Sequence, residues 1–219
     1  MIWKQKKYKG IIFDIDGTLT STNELIFATF NHIAQKYEGR TYTDEEIIAM
    51  FGPTEDVILR EKFNGDKFKE VYDEYYSFYR ENHPRMADLY PGIVDILKEL
   101  KERKILTSIF TGKGRKTTEI TLEILGINNL FDMIVTGDDV INHKPSPEGI
   151  IKFIETYNLN RDNVLMVGDS VADIIAAKEA EIDIASVVWD SYAKDKVIKL
   201  NPLHFFNVND FKKWLMERI

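Results

Sequence analysis

Short apolar runs that end in polar residues recur along this chain and predict buried parallel strands. Runs of about four to six apolar or β-branched residues are typical of strands covered on both faces. The runs are Gly10–Phe13, Ile105–Phe110, Ile134–Thr136, Val164–Val167, Ile184–Val188 and Phe205–Phe206. Three of them lead directly into polar residues, namely Asp14, Thr111 and the Gly168-Asp169 pair.

Helical periodicity fills the segments between most of these runs. Apolar residues recur with i, i+3, i+4 spacing around 93–100, 120–125, 150–154 and 211–215, and 171–180 is rich in alanine. Ser146 and Pro147 predict an N-cap followed by the first residue of a helix. Strands that alternate with helices favour an α/β fold with a doubly wound parallel sheet.

Residues 20–90 interrupt this alternation, because they are far too long for a connection between one strand and the next helix. Their periodicity predicts four helices, at 25–37, 44–50, 54–63 and 66–82. They hold 13 of the 26 aromatic residues, which favours a separate helical cap with its own small core. We therefore predict a catalytic core at 1–19 and 89–219 and a cap at 20–88. Tyr72, Tyr76 and Tyr79 share one helical face and are interpreted as cap core rather than as a substrate-facing stripe.

Charge and composition narrow the classes of function. The chain has 219 residues, a formal charge of −7 and no cysteine, so it is a poor candidate for nucleic-acid binding and has no disulfide or thiolate site. No apolar run approaches the ~20 residues of a membrane helix, and we expect neither a membrane partner nor a secretory signal. A cytoplasmic location is expected. The lysines at 4, 6, 7 and 9 are interpreted as a solvated tail.

The string Asp14-Ile15-Asp16-Gly17-Thr18-Leu19-Thr20 follows the first predicted strand and carries the strongest signal for chemistry. Ligands of a doubly wound sheet bind beyond the carboxyl ends of its strands. Two carboxylates held there repel each other, and a hard divalent cation such as Mg²⁺ relieves that repulsion. Gly17 permits the tight turn after Asp16. An Asp-rich loop without chemistry would explain a bare Asp-x-Asp, but not this whole string at a strand end.

Other strand ends supply groups suited to a phosphoryl substrate. Thr111 offers a hydroxyl and Gly112 a backbone amide, while Lys144 offers a point charge. The next residues, Lys113 and Gly114, do not complete a kinase-type phosphate cradle, which needs Ser or Thr after its lysine.

The last predicted site segment is Gly168-Asp169-Ser170-Val171-Ala172-Asp173. Asp169 is a candidate metal ligand. Asp173 is also a candidate, but Ser170 and Asp173 have the spacing of a helix-capping box, so a structural role is equally open. Asn23 and Glu24 could reach the site from the cap, although an N-cap and a first-turn acid explain them better. The four histidines, at 32, 83, 143 and 204, do not cluster and are interpreted as structural or solvated rather than as metal ligands.

Together, the four ordered segments resemble the haloacid-dehalogenase superfamily over nearly the whole chain. The resemblance implies that Asp14 is a nucleophile that forms an aspartyl-phosphate and that Asp16 is the general acid and base. It further implies that Thr111 and Lys144 bind the phosphoryl group and that Asp14, Asp169 and the backbone carbonyl of Asp16 hold Mg²⁺. Asp16 argues against dehalogenation, because a halide leaving group needs no proton.

Within the superfamily, residues 22–26, 51–54 and 188–189 resemble the phosphoglycolate-phosphatase-like group, especially its bacterial pyrophosphatases, although Ser21 stands where many members carry an acid. The resemblance implies a Mg²⁺-dependent phosphatase for a small phosphate monoester or pyrophosphate, as a monomer or homodimer. A phosphosugar mutase would use the same residues and stays an alternative, and a non-catalytic binding protein on this fold is a third.

Overall fold

The computed structural model describes residues 7–63, 65 and 67–219, and within them six strands form one parallel sheet. The strands are β1 Gly10–Phe13, β2 Leu106–Phe110, β3 Met133–Val135, β4 Val164–Gly168, β5 Asp183–Val187 and β6 His204–Phe205. Their spatial order is β3-β2-β1-β4-β5-β6, and every neighbouring pair is parallel. This confirms the predicted doubly wound α/β fold, and no strand bound differs from its predicted position by more than one residue.

Ten helices in the described part of the chain cover the sheet or form the insertion after β1. In chain order they are α1 Asn23–Glu38, α2 Asp44–Ile48, α3 Glu55–Lys62, α4 Lys67–Met86, α5 Ile93–Glu102, α6 Arg115–Ile124, α7 Glu148–Tyr157, α8 Val171–Glu179, α9 Lys194–Leu200 and α10 Val208–Met216. Helix α9 was not predicted. The predicted start of α7 was wrong by one residue: Pro147 is its N-cap, and the Ser146 hydroxyl accepts a long hydrogen bond of 3.4 Å from the Glu148 amide.

Alternation along the buried strands places side chains in two apolar layers. Ile11 and Phe13 belong to the layer beneath α5 and α10, whereas Ile12 belongs to the layer beneath α7 and α8. All three residues are essentially inaccessible to solvent. Because both faces are covered, the strands need no polar alternation, which is why the sequence shows them as continuous apolar runs.

The inserted helices α1–α4 form a third apolar cluster of their own. Of the tyrosine stripe, Tyr79 is fully buried in this cluster and Tyr76 nearly so, whereas Tyr72 is half-buried and packs against its edge. Ile120 of α6 completes the cluster from the core side. The stripe therefore packs in the cap core, as interpreted from the sequence. Helix α4 runs four residues beyond the predicted end at Asn82. Its predicted start, Asp66, lies outside the described residues.

The chain enters and leaves this insertion at one place. Thr20 forms an antiparallel bridge with Leu89, and the Ser21 amide donates to the Asp88 carbonyl at 2.8 Å. Two neighbouring connections of this kind suit a hinge, and they lie beside the proposed limits of the cap at 20 and 88.

The remaining composition-based expectations concern the surface. No helix in the described part of the chain is both long and apolar enough to cross a bilayer. Lys7 and Lys9 are exposed, but Tyr8 between them is buried and its amide donates to the Arg218 carbonyl. Residues 7–9 are therefore packed against the C-terminal end, and the interpretation as a solvated tail was wrong for them. Lys4 and Lys6 lie outside the described residues.

Candidate active site

The three central strands bring the predicted segments to one edge of the sheet. β1 lies between β2 and β4, so Asp14, Thr111 and Asp169 follow neighbouring strands. They line a cavity of about 320 Å³ whose other side is formed by α1, α3 and the loop before α3. This volume is at the small end of ligand pockets, about 300–1,000 Å³.

Asp14 and Lys144 form a buried ion pair on the core side of the cavity. Lys144 Nζ lies 2.9 Å from Asp14 Oδ1 and 2.6 Å from Asp173 Oδ1. Burial raises the pKa of Asp14 to about 7, against the opposing effect of Lys144. Burial by itself would lower the pKa of Lys144, but the charges of Asp14 and Asp173 outweigh it and raise that pKa. The lysine is therefore held as a cation between two carboxyl groups.

Three carboxyl groups meet closely enough to share a cation. One oxygen each of Asp14, Asp169 and Asp173 lie within 4.8 Å of one another. The pKa of Asp169 is well above its ordinary value because of burial and the charges of Asp14 and Asp173. An acidic cluster that a single lysine does not neutralise fits a divalent cation, which prefers carboxylate oxygens. The Asp16 side chain is not part of this cluster.

Asp16 is instead held by a second lysine of the cavity, Lys113. Lys113 Nζ lies 3.1 and 3.2 Å from the two Asp16 carboxylate oxygens, and the Thr22 hydroxyl also donates to Asp16. The Lys113 side chain is 1% exposed. Burial alone would lower the pKa of Lys113, yet the Asp16 carboxylate raises it overall. We call Asp14, Asp16, Lys113, Lys144 and Asp169 the charged floor.

The predicted phosphate-binding residues Thr111 and Gly112 also line the cavity. Thr111 is 2% exposed, and its hydroxyl accepts a 3.2 Å hydrogen bond from the Lys113 amide. The Gly112 carbonyl packs closely against Gly137, since a Cβ on Gly137 would lie 2.7 Å from the Gly112 carbonyl oxygen. The loop after β2 is thus fixed beside Asp14 by backbone packing.

Gly17 and Gly168 allow the acidic groups to approach the backbone. Gly17 has a φ of +77°, and a Cβ there would lie 2.7 Å from Asp169 Oδ2. A Cβ on Gly168 would lie 2.4 Å from the Asp173 carboxyl group. Any side chain at either position would displace a carboxyl group of the cluster.

Asp173 combines the two roles that the sequence left open. Its Oδ2 accepts from the Ser170 amide and hydroxyl, which completes the capping box of α8. Its Oδ1 holds Lys144. One carboxyl group therefore anchors the helix and places the lysine beside Asp14.

Asn23 and Glu24 separate in the structure. Asn23 lines the cavity, and its amide donates to Asp190 at 3.4 Å. Glu24 is exposed and lines a neighbouring cleft instead. The N-cap of α1 is Thr22 rather than Asn23, and Glu24 is the acid of the first turn.

Sequence reasoning missed two buried charged residues that line the cavity, Lys113 and Glu55. Glu55 of α3 accepts from the Gly114 amide at 2.7 Å and from the Thr117 hydroxyl at 2.8 Å, so it caps the start of α6 from the cap side. Burial raises the pKa of Glu55, and Lys113 opposes that shift. The position of Lys113, two residues after the strand-end Thr111, was a usable signal. Glu55 has no comparable signal, because its partners lie about sixty residues away.

These features are those of a haloacid dehalogenase-like hydrolase. The sequence model of the family described by that name matches residues 11–187. The chain therefore belongs to the haloacid dehalogenase-like hydrolase family, which confirms the predicted class and makes the protein an enzyme of hydrolase type.

Similar proteins span nearly the same length. Pyrophosphatase PpaX of Bacillus cereus (strain B4264) is 34% identical over 179 residues, which cover 82% of each chain. The crystal structure of a predicted phosphoglycolate phosphatase from Haemophilus somnus 129PT has a TM-score of 0.80 at 23% identity and covers 96% of this chain and 98% of its own. That of a candidate beta-phosphoglucomutase from Thermotoga maritima has a TM-score of 0.76 at 25% identity and covers 96% and 100%.

Proposed function

We propose that this protein is a Mg²⁺-dependent phosphatase that hydrolyses a small phosphate compound through an aspartyl-phosphate on Asp14. The observation that carries the proposal is the arrangement of the charged floor. Asp14 is paired with Lys144 at the end of β1, and Asp16, two residues further on, is paired with Lys113 at the same cavity. A candidate nucleophile and a candidate proton carrier thus line one compact space.

The reaction follows from these positions in two displacements. An Asp14 oxygen attacks the phosphorus, the bond to the leaving oxygen breaks, and the Asp16 carboxyl group gives that oxygen its proton. Water then attacks the phosphorus of the aspartyl-phosphate and gives a proton to the Asp16 carboxylate, while the bond to the Asp14 oxygen breaks. The products are the free alcohol or phosphate, inorganic phosphate and the original enzyme.

Asp14, Asp169 and the backbone carbonyl of Asp16 are the proposed ligands of Mg²⁺. Asp173 lies in the same cluster of carboxyl groups and contacts Lys144, so its proposed role is to hold this lysine beside the metal ligands. When bound, the cation supplies positive charge that offsets repulsion between an anionic nucleophile and an anionic substrate. Lys144 contributes a further positive charge beside Asp14, and Thr111 and Gly112 offer a hydroxyl and an amide to the phosphoryl oxygens.

Substrate size is set by the cap. Its helices close the cavity opposite the charged floor, so we expect small phosphate esters to enter and folded phosphoproteins or nucleic-acid ends to be excluded. The similar Bacillus protein is named a pyrophosphatase, so pyrophosphate is a further candidate substrate. The similar Thermotoga structure is named as a beta-phosphoglucomutase, so a phosphosugar mutase is the second candidate function.

Acid-quench trapping tests the proposal. A ³²P-labelled small ester such as phenyl phosphate is mixed with enzyme and Mg²⁺, the reaction is quenched in acid, and the denatured protein is examined for label on the peptide containing Asp14. We expect acid-stable, hydroxylamine-sensitive label together with steady release of inorganic phosphate. Label without phosphate release would favour the mutase, and phosphate release with no labelled protein at any time or temperature would contradict the aspartyl-phosphate.

A further inference from the structure

The loop between β5 and α9, residues 188–193, contacts three different parts of the site through three consecutive side chains. We call it the β5 loop. Trp189 holds its base in the core, where its ring packs against Tyr90 with the ring centroids 5.9 Å apart. The three side chains that follow are Asp190, Ser191 and Tyr192.

Asp190 contacts both connections between the cap and the core. Its Oδ2 accepts a hydrogen bond from the Asn23 amide at 3.4 Å, and the Tyr90 hydroxyl also donates to it. Asn23 is the first residue of α1, and Tyr90 follows Leu89, which forms the bridge to Thr20. One carboxylate of the β5 loop is therefore bound to the chain on each side of the insertion, so the loop is fixed relative to the hinge.

Ser191 joins the same loop to the end of β4. Its hydroxyl donates to the backbone carbonyl of Asp169 at 2.6 Å and accepts from the Ala193 amide at 3.2 Å. Asp169 belongs to the charged floor. The backbone at one acid of the floor is thus bound to the residue that lies between the contact with the hinge and the contact with the cap.

Tyr192 lies against the cap. Its ring stacks on Phe27 of α1, with the centroids 5.5 Å apart and an angle of 18° between the planes, which is within the range of favourable aromatic pairs. The Phe27 ring in turn lies 6.3 Å from that of Phe51, which lines the cavity. Three rings therefore lead from a loop of the core, through a cap helix, to the lining of the active site.

The contacts between cap and core differ in their exposure to water. On the α6 side, Tyr79 and Glu55 are under 8% exposed and both are hydrogen-bonded to groups of α6 or its start. Tyr192 is 51% exposed, so separating its ring from Phe27 newly exposes little apolar surface. The β5-loop contact is therefore the weaker of the two, and it can be lost while the cap remains folded.

We propose that Tyr192 is a positioning residue, which stabilises the closed cap over the charged floor by stacking on Phe27. Asp190 and Ser191 fix the loop that carries this ring. The effect on turnover rests on the proposed function, whereas the effect on the cap does not. Loss of the ring lowers the fraction of enzyme whose cap is closed, and a substrate that needs this form then binds with a weaker apparent affinity. Saturating substrate restores closure, so kcat is retained.

The kinetics of phenyl phosphate hydrolysis with Mg²⁺ test the effect on turnover. For Tyr192→Ala we expect KM to rise about threefold or more while kcat stays within about twofold of the wild type. Tyr192→Phe keeps the stacking ring and should match the wild type in both constants. A lower kcat at unchanged KM in Tyr192→Ala, or the same KM in both variants, would overturn the inference.

Distances between cap and core give a readout that does not depend on turnover. Because the chain has no cysteine, Glu61→Cys on α3 and Glu155→Cys on α7 place two spin labels at exposed positions, one on each part. Without substrate, we expect a larger population of long distances in Tyr192→Ala than in Tyr192→Phe. Identical distance distributions would overturn the inference whatever the kinetics. Absence of phosphate release by the wild type would contradict the proposed function instead, and the spin-label distances alone would then decide the inference.

A double-mutant cycle tests the partner of Tyr192. Phe27→Leu keeps an apolar side chain in the cap but removes the ring. If the two rings act through their mutual contact, KM of the double variant with Tyr192→Ala should equal the larger of the two single-variant values. Increases in KM that multiply would show that Tyr192 does not act through Phe27 and would contradict the proposal.

Discussion

The two sides of the cavity differ in the chemistry of their side chains and in the part of the fold that holds them. The charged floor consists of buried acids and lysines at the ends of β1, β2 and β4 and in the loop after β3, where the sheet holds each backbone in place. Facing the floor is the cap wall, by which we mean the apolar residues Ile26, Phe30, Phe51, Pro53 and Ile58. Ile26, Phe30 and Ile58 also belong to the core of the inserted helices. The floor carries the groups suited to phosphoryl chemistry, whereas the wall belongs to the insertion, so a change in one region need not alter the other.

Glu55 joins these two regions. It belongs to the cap by sequence, but its carboxylate is bound at the start of α6, beside the loop that carries Thr111 and Lys113. The Glu55 side chain therefore connects the cap to the loop that carries Lys113. Changes made to one region at a time test whether floor and wall contribute separately.

Asp14→Asn should reduce phosphate release by roughly 10⁴-fold or more, because the amide cannot act as the nucleophile. The measurement is kcat with a saturating small ester and Mg²⁺. Asp195→Asn is the control, since Asp195 is an exposed carboxylate of α9. Near-normal release by Asp14→Asn, with the control also normal, would remove Asp14 from the reaction.

Removal of divalent cations should abolish turnover and lower the thermal unfolding midpoint. Because burial raises the pKa of Asp14 and Asp169, the cation competes with protons, and its affinity should increase as pH rises from about 4 to about 7. The check is the shift of the unfolding midpoint with added Mg²⁺ at pH 5 and at pH 8. A larger shift at pH 5, or full activity in excess chelator, would be incompatible with this site.

Lys144→Met should reduce activity by at least about 100-fold and, without metal, destabilise the protein by about 3–5 kcal/mol, since it leaves two buried carboxyl groups without their counter-charge. Urea unfolding measures the second effect. Lys213→Met removes an exposed lysine of α10 for comparison. Equal stabilities of the two variants would mean that Lys144 does not hold the floor together.

Acid should weaken the contact between cap and core through His83 of α4. This residue is buried, with Nε2 3.2 Å from the Thr121 hydroxyl of α6, and burial lowers its pKa to about 4. The unfolded chain, with an ordinary pKa near 6.5, binds more protons than the folded protein between these values. Stability from this residue is therefore complete above pH 6.5 and is lost as pH falls towards 4, by roughly 2 kcal/mol.

The test is the free energy of unfolding of metal-free protein at pH 4.5 and pH 7. The difference between the two should be smaller in His83→Gln than in the wild type, whereas His204→Gln, on β6, should retain the wild-type difference. An unchanged pH dependence in His83→Gln would exclude this residue as its source.

Glu55→Gln should have the smallest effect, a loss of about 1 kcal/mol in stability and up to about tenfold in kcat/KM, because an amide replaces one of the two accepting oxygens. Glu61→Gln on the same helix is the exposed control. Identical unfolding midpoints for the two variants would show that Glu55 does not connect the cap to α6.

Much of the fold was accessible from the sequence because its signals are local. Buried parallel strands appear as apolar runs, and the carboxyl ends of such strands meet at one edge of a sheet, so Asp14, Thr111 and Asp169 could be brought together in advance. Helix α9 was not predicted from the sequence because its seven residues bury only Val197 and show little helical periodicity. Short helices of this kind depend on tertiary packing rather than on their own pattern.

The sheet, the insertion and the order of the strand-end residues could be derived from the sequence, since each rests on spacing within a few positions. That Asp173 holds Lys144, that Lys113 holds Asp16 and that Glu55 reaches Gly114 became visible only in the folded chain. These three contacts join residues about 30 to 100 positions apart. Their geometry depends on how helices pack over a sheet edge, because a buried charge is placed by all the partners that satisfy it and not by its neighbours along the chain.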